Sequence, residues 1–425
     1  MKYSSKLAIT LLVCALITGG ILFASGCGNK KKDHHDEREA AAAMALLYSG
    51  NGSWTEIDSG INCPQGRSHH TAIWTGSEMI IWGGVQYDQY GYCRIIDNGA
   101  VYNAGVDQWE QVVYMPGFAL GAYEHTSVWT GSEMIIWGGQ FFNASAMNVS
   151  EIITITDSGG IYNPDNNTWR QTSTAGLCPS SRESHSAVYT GNSMILWGGS
   201  DFYDLFNSGG IYFPENDSWI PTSTSGACPT ARKYHSAVWT GSKMIIWGGS
   251  INISGGLLAE LNGKGTGAVY DPQTDMWIPT STDGDCPSAR TRHRVEWTGT
   301  HMIVWGGAAD YAGTNEGAMY NPVTDEWTAI STNFPSPTAA VWITSVWTGT
   351  YMIVWGDYSS NNFPYNGGIF DPAADRWTAV YSGPGSPGYG IYRSAVWTGS
   401  EMIIWGGRGR TLSGSESNKG YKFTP

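Results

Sequence analysis

Five histidines occupy one recurrent place in this chain. His70, His125, His185, His235 and His293 each precede an aromatic residue by four positions, and Arg393 takes that place before Trp397. Arg67, Arg182, Arg232 and Arg290 stand three residues ahead of four of these histidines. Imidazoles in such number raise metal ligation and proton transfer, because the ring titrates near neutrality and its neutral nitrogen binds transition metals. Glu124, Glu183 and Glu296 lie near the same positions. A second set is aromatic and cationic: Tyr87, Tyr90, Tyr92 and Arg94, then Phe141 and Phe142, then Arg408 and Arg410. Ring faces and guanidinium forks suit a sugar or an anionic glycan, through stacking and paired hydrogen bonds. Phe141 and Phe142 would serve equally well to pack a loop onto its scaffold. The chain has no nucleophile triad, no zinc-type Cys/His spacing and no phosphate loop, and its glycines fall at turns.

The elements that must carry these residues are repeats. WTGSEMIIWGG occurs at 74–84, 129–139 and 397–407, with close variants beginning at Tyr189, Trp239, Trp297 and Trp347. A spacing of 50 to 60 residues marks a stacked or circular architecture. Short apolar runs bounded by Thr-Gly and Gly-Gly read as strands. Two more strands follow in each unit. One ends at Tyr102, Tyr162, Tyr212, Tyr270, Tyr320, Phe370 or Phe423, and the other holds Trp109, Trp169, Trp219, Trp277, Trp327 or Trp377. Four strands per unit, here lettered a to d, predict propeller blades. The seventh unit has a, b and c, and its missing strand d is found around Trp54. The expected fold is therefore all-β, a seven-bladed propeller of four antiparallel strands per blade, its last blade closed by the N-terminal strand. Closure also protects strand edges from aggregation.

The double glycine after strand b, followed by a Tyr and a Trp with six residues between them, resembles the kelch repeat. Gly83-Gly84, Tyr102 and Trp109 carry the pattern, and the likeness runs over about residues 52–425. Gly356-Asp357, Phe370 and Phe423 depart from it. The resemblance implies an innermost strand a, which places His70, His125, His185, His235, His293 and Arg393 around a channel mouth. Side chains diverging around a ring cannot meet at the roughly 2 Å that one metal requires, so no metal or cofactor is expected. Arg-x-x-His also resembles the general repeat, where it serves the d–a turn, and a structural role is expected here. Copper galactose oxidases and sialate mutarotases share the resemblance. The oxidase set of two Tyr, two His and a thioether-forming Cys has no matching positions, and the three glutamates match no quotable motif. The reading is a binding module for a glycan or protein, with a sugar-acting enzyme as the alternative.

Only the b–c segment varies in length. From Trp to Tyr or Phe it measures 20, 25, 15, 23, 15, 15 and 18 residues for blades 1 to 7. Insertions confined to one face often mark the binding face. The long loops of blades 7, 1 and 2 adjoin, and they carry Tyr87, Tyr90, Tyr92, Arg94, Phe142, Arg408 and Arg410.

Lys2 and Lys6, the apolar run Leu7 to Phe23, and Ala24-Ser25-Gly26 before Cys27 read as a secretory signal. Cys27 resembles the lipidated cysteine of bacterial lipoproteins. Residues 1–26 are thus expected to be a signal peptide, 27–51 a lipidated tether and 52–425 the propeller. The protein would be exported and held at the envelope membrane, its propeller a monomer. Net charge is −13 with no basic stripe, so no nucleic-acid partner is expected. Six Asn-X-Ser/Thr sites read as turn residues beside such a start. Cys63, Cys178, Cys228 and Cys286 each follow a strand-d Trp by nine positions. Cys93 falls in the blade 1 b–c loop, and a Cys63–Cys93 disulfide is expected in an exported chain.

Overall fold

The computed structural model describes residues 52–425 apart from 88–92, 114–122, 143–152, 254–262, 310–311, 334, 338–340, 357–364, 383–384, 389 and 410–414. The described residues form seven four-stranded antiparallel sheets, each a blade. Blade 1 takes its strands a to d from Thr71–Trp74, Glu78–Trp82, Gly99–Asn103 and Gln108–Gln111. Blade 7 takes a to c from Ser394–Trp397, Met402–Trp405 and Gly420–Thr424, and its strand d is Ser53–Glu56, with Trp54 opposite Phe423. Each strand a packs beside the strands a of both neighbouring blades, and the circle closes between blades 7 and 1.

The repeated motif explains itself locally. In the a–b hairpin of blade 1, Thr75 Oγ1 accepts from the Glu78 N–H at 3.0 Å while Thr75 N–H donates to the Glu78 carbonyl at 2.9 Å. The same Thr does this in the other six hairpins. Met-Ile-Ile-Trp then alternates its side chains between two faces, and both faces are buried because a blade lies on either side. The Met and third-position residues pack against one neighbour, the second residue and the Trp against the other. Seven apolar clusters result, one between every adjacent pair of blades. Each fully buried side chain of this size contributes about 1.5–3 kcal/mol.

Strands c and d supply a polar clasp over the same seams. Tyr212 Oη donates to Asp217 Oδ1 at 2.6 Å, and that oxygen also accepts the Ser173 N–H of the preceding blade at 2.7 Å. Trp219 Nε1 donates to the Ser173 carbonyl at 2.9 Å. Asp107, Asp275 and Asp325 repeat the arrangement, and Asn167 reproduces it in blade 2.

Candidate binding site at the channel mouth

Four of the five repeat histidines are inter-blade staples, while both ring nitrogens of the fifth, His293, are buried without a hydrogen-bond partner. His70 Nε2 bonds Ser394 Oγ at 2.6 Å, His125 bonds Thr71 at 2.9 Å, His185 bonds Thr126 at 2.8 Å and His235 bonds Ser186 at 2.8 Å. Each hydroxyl opens strand a of the preceding blade. The rings of His70, His185, His235 and His293 also press on the first glycine of the preceding blade's doublet. A Cβ on Gly198, where φ is 73°, would sit 2.5 Å from His235 Cε1. The second glycine of a doublet fits its own blade's d–a segment instead, as Gly199 does beneath the Glu183 carbonyl. Burial and the Arg232 guanidinium push His235 down to about 3, and burial and Arg290 do the same to His293. These imidazoles are neutral near pH 7 and are held as structure. Among the described residues no cluster of His, Cys, Asp or Glu could hold a metal ion.

The preceding arginines sew each blade together. Arg67 Nη1 donates to the carbonyls of Gly83 and Asn98 at 3.1 and 2.8 Å, and its Nε donates to the Gln65 carbonyl at 3.0 Å. Arg182, Arg232 and Arg290 make the equivalent bonds.

The ring that faces the opening lies one residue earlier. His69, Glu124, Ser184, Tyr234, Arg292, Trp342 and Tyr392 each precede the histidine position, one per blade, and all have φ between 54° and 60°. Glycine and asparagine take this left-handed conformation at least cost, and neither occurs at any of the seven places. Backbone bonds between blades hold the ring, as from Ser184 N–H to the Glu124 carbonyl at 3.0 Å and from Tyr234 N–H to the Ser184 carbonyl at 3.2 Å. The fold fixes the conformation, so the side chains are free to differ. His69 stacks on Tyr392 at 3.6 Å between centroids, and Trp342 lies 5.3 Å from Tyr392. Opposite this aromatic arc, the Arg292 guanidinium lies 4.3 Å from the centre of the Tyr234 ring, and Ser184 Oγ donates to Glu124 Oε2 at 3.1 Å.

Below the ring is a cavity of about 530 Å³, walled by strand-a residues from around the circle. Blade 5 breaks its symmetry. Arg294-Val295-Glu296 stands where other blades have a hydroxyl, a small or hydroxyl residue and Val or Ile. Ile343 holds the next blade's histidine position, and Arg294 Nε donates to the Ile343 carbonyl in place of the missing staple. Burial pushes the Glu296 carboxyl up to about 7, opposed by a 2.7 Å bond from Ser345 Oγ and by Arg294. Glu183 is also pushed up to about 7, by burial and then by Glu124, while Gln140 donates to it.

The loop-face residues are placed less openly. Tyr87 lies in the short hairpin Val85–Tyr87 and Cys93–Ile95, and Arg408 of blade 7 covers its ring at 4.0 Å. Arg408 Nε also meets Glu416 Oε1 at 3.5 Å, and the Tyr87 N–H donates to Glu416 Oε2 at 3.3 Å. Tyr87 and Arg408 thus join the blade 1 and blade 7 loops. Arg94 is exposed beside them. Phe141 is half-buried in the hairpin Gln140–Phe142 and Ile153–Ile155; the Phe142 side chain, Tyr90, Tyr92, Arg410 and Cys27 lie outside the described residues.

The expected Cys63–Cys93 disulfide is not formed, and both thiols are free. Cys63 Sγ lies 3.3 Å from the Asn418 carbonyl and faces the Trp405 indole. Cys178, Cys228 and Cys286 sit in the same setting beside Trp137, Trp197 and Trp247. Burial pushes the Cys63 thiol up to about 11. All four sulfurs fill a repeated structural place, which commits Cys63 to its seam.

Seven kelch-type blades around a channel define the class: a Kelch propeller, a fold that generally serves as a protein-interaction module. The family described as the KLHDC2/KLHL20/DRC7 Kelch-repeats domain matches residues 124–357, more than half of the chain, and the chain belongs to it. It is similar to Kelch domain-containing protein 3 of Rattus norvegicus and of Mus musculus, at 25% identity over 156 residues in each case. That match covers 35% of this chain and 38% of each relative, so well under two thirds of their length.

Proposed function

We propose that this protein is a non-catalytic binding module, exported and lipid-anchored through Cys27, whose ligand is a saccharide entering the channel mouth. The observation that carries the reading is the ring of seven left-handed residues without a glycine or asparagine. Holding a larger side chain in this conformation costs on the order of 1 kcal/mol or more per position, and such strain collects at ligand sites. The arc of Trp342, Tyr392 and His69 offers ring faces beside a polar wall, which is the composition a sugar requires. Export and anchoring rest on the basic start, apolar run and Cys27 of residues 1–27, with 28–51 as the tether. Among the described residues no helix is long and apolar enough to cross a membrane.

A glycan and peptide array with the purified protein tests the ligand class. Trp342→Ala and Tyr392→Ala are expected to weaken saccharide binding by about 1–3 kcal/mol each, by analogy with aromatic stacking elsewhere. Unchanged binding in both variants contradicts the site. Cys27→Ser is expected to release the propeller from the membrane fraction, and an intact mass starting elsewhere than Cys27 contradicts the anchor.

A further inference from the structure

We infer that Arg393 is an anion-binding residue of the channel-mouth cavity, and that the saccharide taken there is acidic, held through its carboxylate. The inference rests on the channel mouth being the ligand site.

Arg393 occupies the histidine position of blade 7, and the place three residues before it, elsewhere an arginine in four blades, is Gly390. Its guanidinium lies over that glycine, with Nη2 2.5 Å from where a Cβ would stand. The other arginines of the repeat are saturated: Arg182 makes five hydrogen bonds, to Ser180, Gly198 and Ser208. No described residue accepts a hydrogen bond from Arg393, and its Nη1 is buried without a partner. Arg393 as a whole is half-buried, but a buried N–H left unpaired is costly, and most buried polar groups in folded proteins do have partners.

The surroundings point the same way. Arg393 lines the same cavity as Arg292 and Arg294, while among the described residues the acids there are Glu124 and Glu296. Glu124 is already engaged by Ser184, and Glu296 by Ser345. Three guanidinium groups face two carboxylates, and Arg294 and Arg292 are engaged by the Ile343 carbonyl and the Tyr234 ring, which leaves Arg393 as the cation of this lining with no such contact in a protein of net charge −13. Tyr392 and Trp342 adjoin Arg393 and supply ring faces beside the charge. At about 530 Å³ the cavity has room for one or two sugar rings. A guanidinium receives a carboxylate through two parallel N–H bonds, an arrangement an ammonium cannot copy.

The test is calorimetric titration of the purified full-length protein with glucuronate, glucose, inorganic phosphate and an acidic peptide. Glucuronate is expected to bind at least tenfold more tightly than glucose or phosphate. Arg393→His restores the repeat pattern and Arg393→Gln keeps a polar side chain; both are expected to lose at least tenfold in glucuronate affinity while melting no lower than the parent. Arg393→Lys is expected to fall between them and the parent. Glucuronate affinity unchanged in the His and Gln variants overturns the proposal. If Trp342→Ala still weakens glucose binding in that case, the channel-mouth reading survives and the anion assignment alone has failed. Phosphate binding as tightly as glucuronate, or the peptide displacing it, overturns the acidic-saccharide assignment. Asp357, which follows Gly356 in the preceding blade, is the internal control. Asp357→Asn is expected to change nothing, and a tenfold gain in affinity would show that carboxylate to be the partner of Arg393 and overturn the proposal.

Discussion

Glu296 shows how one residue departs from a sevenfold rule and what it costs. Its place in strand a is Val or Ile in the other blades, where it packs into the seam between blades. Its carboxyl has moved from 4.5 to about 7 through burial. The native state therefore keeps a proton that the unfolded chain releases, and stability from this group falls as pH rises from about 4.5 through 7. Glu296→Gln keeps the Ser345 contact without the charge. It is expected to melt higher than the parent at pH 8, by about 1–2 kcal/mol, and equally at pH 5. Equal stability at both pH values, read by calorimetry, contradicts the assignment. Glu183, also near 7, has the same sign. The sequence displayed the histidine ring because a repeated identity is conspicuous, and four of those histidines are staples. Of the ring beside the cavity only Glu124 was legible, because its seven positions share a backbone conformation and little chemistry, from Ser184 to Trp342. A column of unlike residues inside an otherwise uniform repeat was the available signal.

At the scale of the element, the seams between blades carry the fold. Strand b is apolar on both faces, and strands c and d add the Tyr–Asp–Trp clasp. Asp217→Ala removes the acceptor for both Tyr212 and the Ser173 N–H, and is expected to cost about 2–3 kcal/mol in denaturant unfolding. Asp217→Asn is expected to cost under about 1 kcal/mol, because Asn167 already performs this task in blade 2. Equal losses for the two variants would contradict the clasp. Strand order and spacing were legible because each blade repeats its Trp, Tyr and glycine landmarks. Cysteine pairing was not. Spacing put Cys63 and Cys93 at one end of blade 1, but only the three-dimensional seam shows Cys63 held against Trp405 and the Asn418 carbonyl.

For the whole molecule, the seventh seam joins two distant parts of the chain. Ser53–Glu56 pairs with Gly420–Thr424, and Trp54 lies 4.4 Å from Trp355 of blade 6. Deleting residues 52–58 exposes the edge of blade 7 and the apolar cluster around Phe423. Aggregation or a large fall in melting temperature is expected, and a truncated protein that melts like the parent contradicts closure by this strand. Counting strands made this closure legible, since one strand d was missing at one end and present at the other. Loop length marks a candidate crescent over blades 7, 1 and 2, where Arg408 covers the Tyr87 ring and Tyr90, Tyr92 and Arg410 lie outside the described residues; the aromatic arc and the cavity lie at the axis. The most direct test of the account is a crystal structure of the protein with its array-identified saccharide bound. The account predicts sugar density in the channel mouth, against Trp342 and Tyr392 and within hydrogen-bond distance of Arg393. Density confined to the loop surface around Tyr87 and Arg94, with the channel mouth empty, would contradict it.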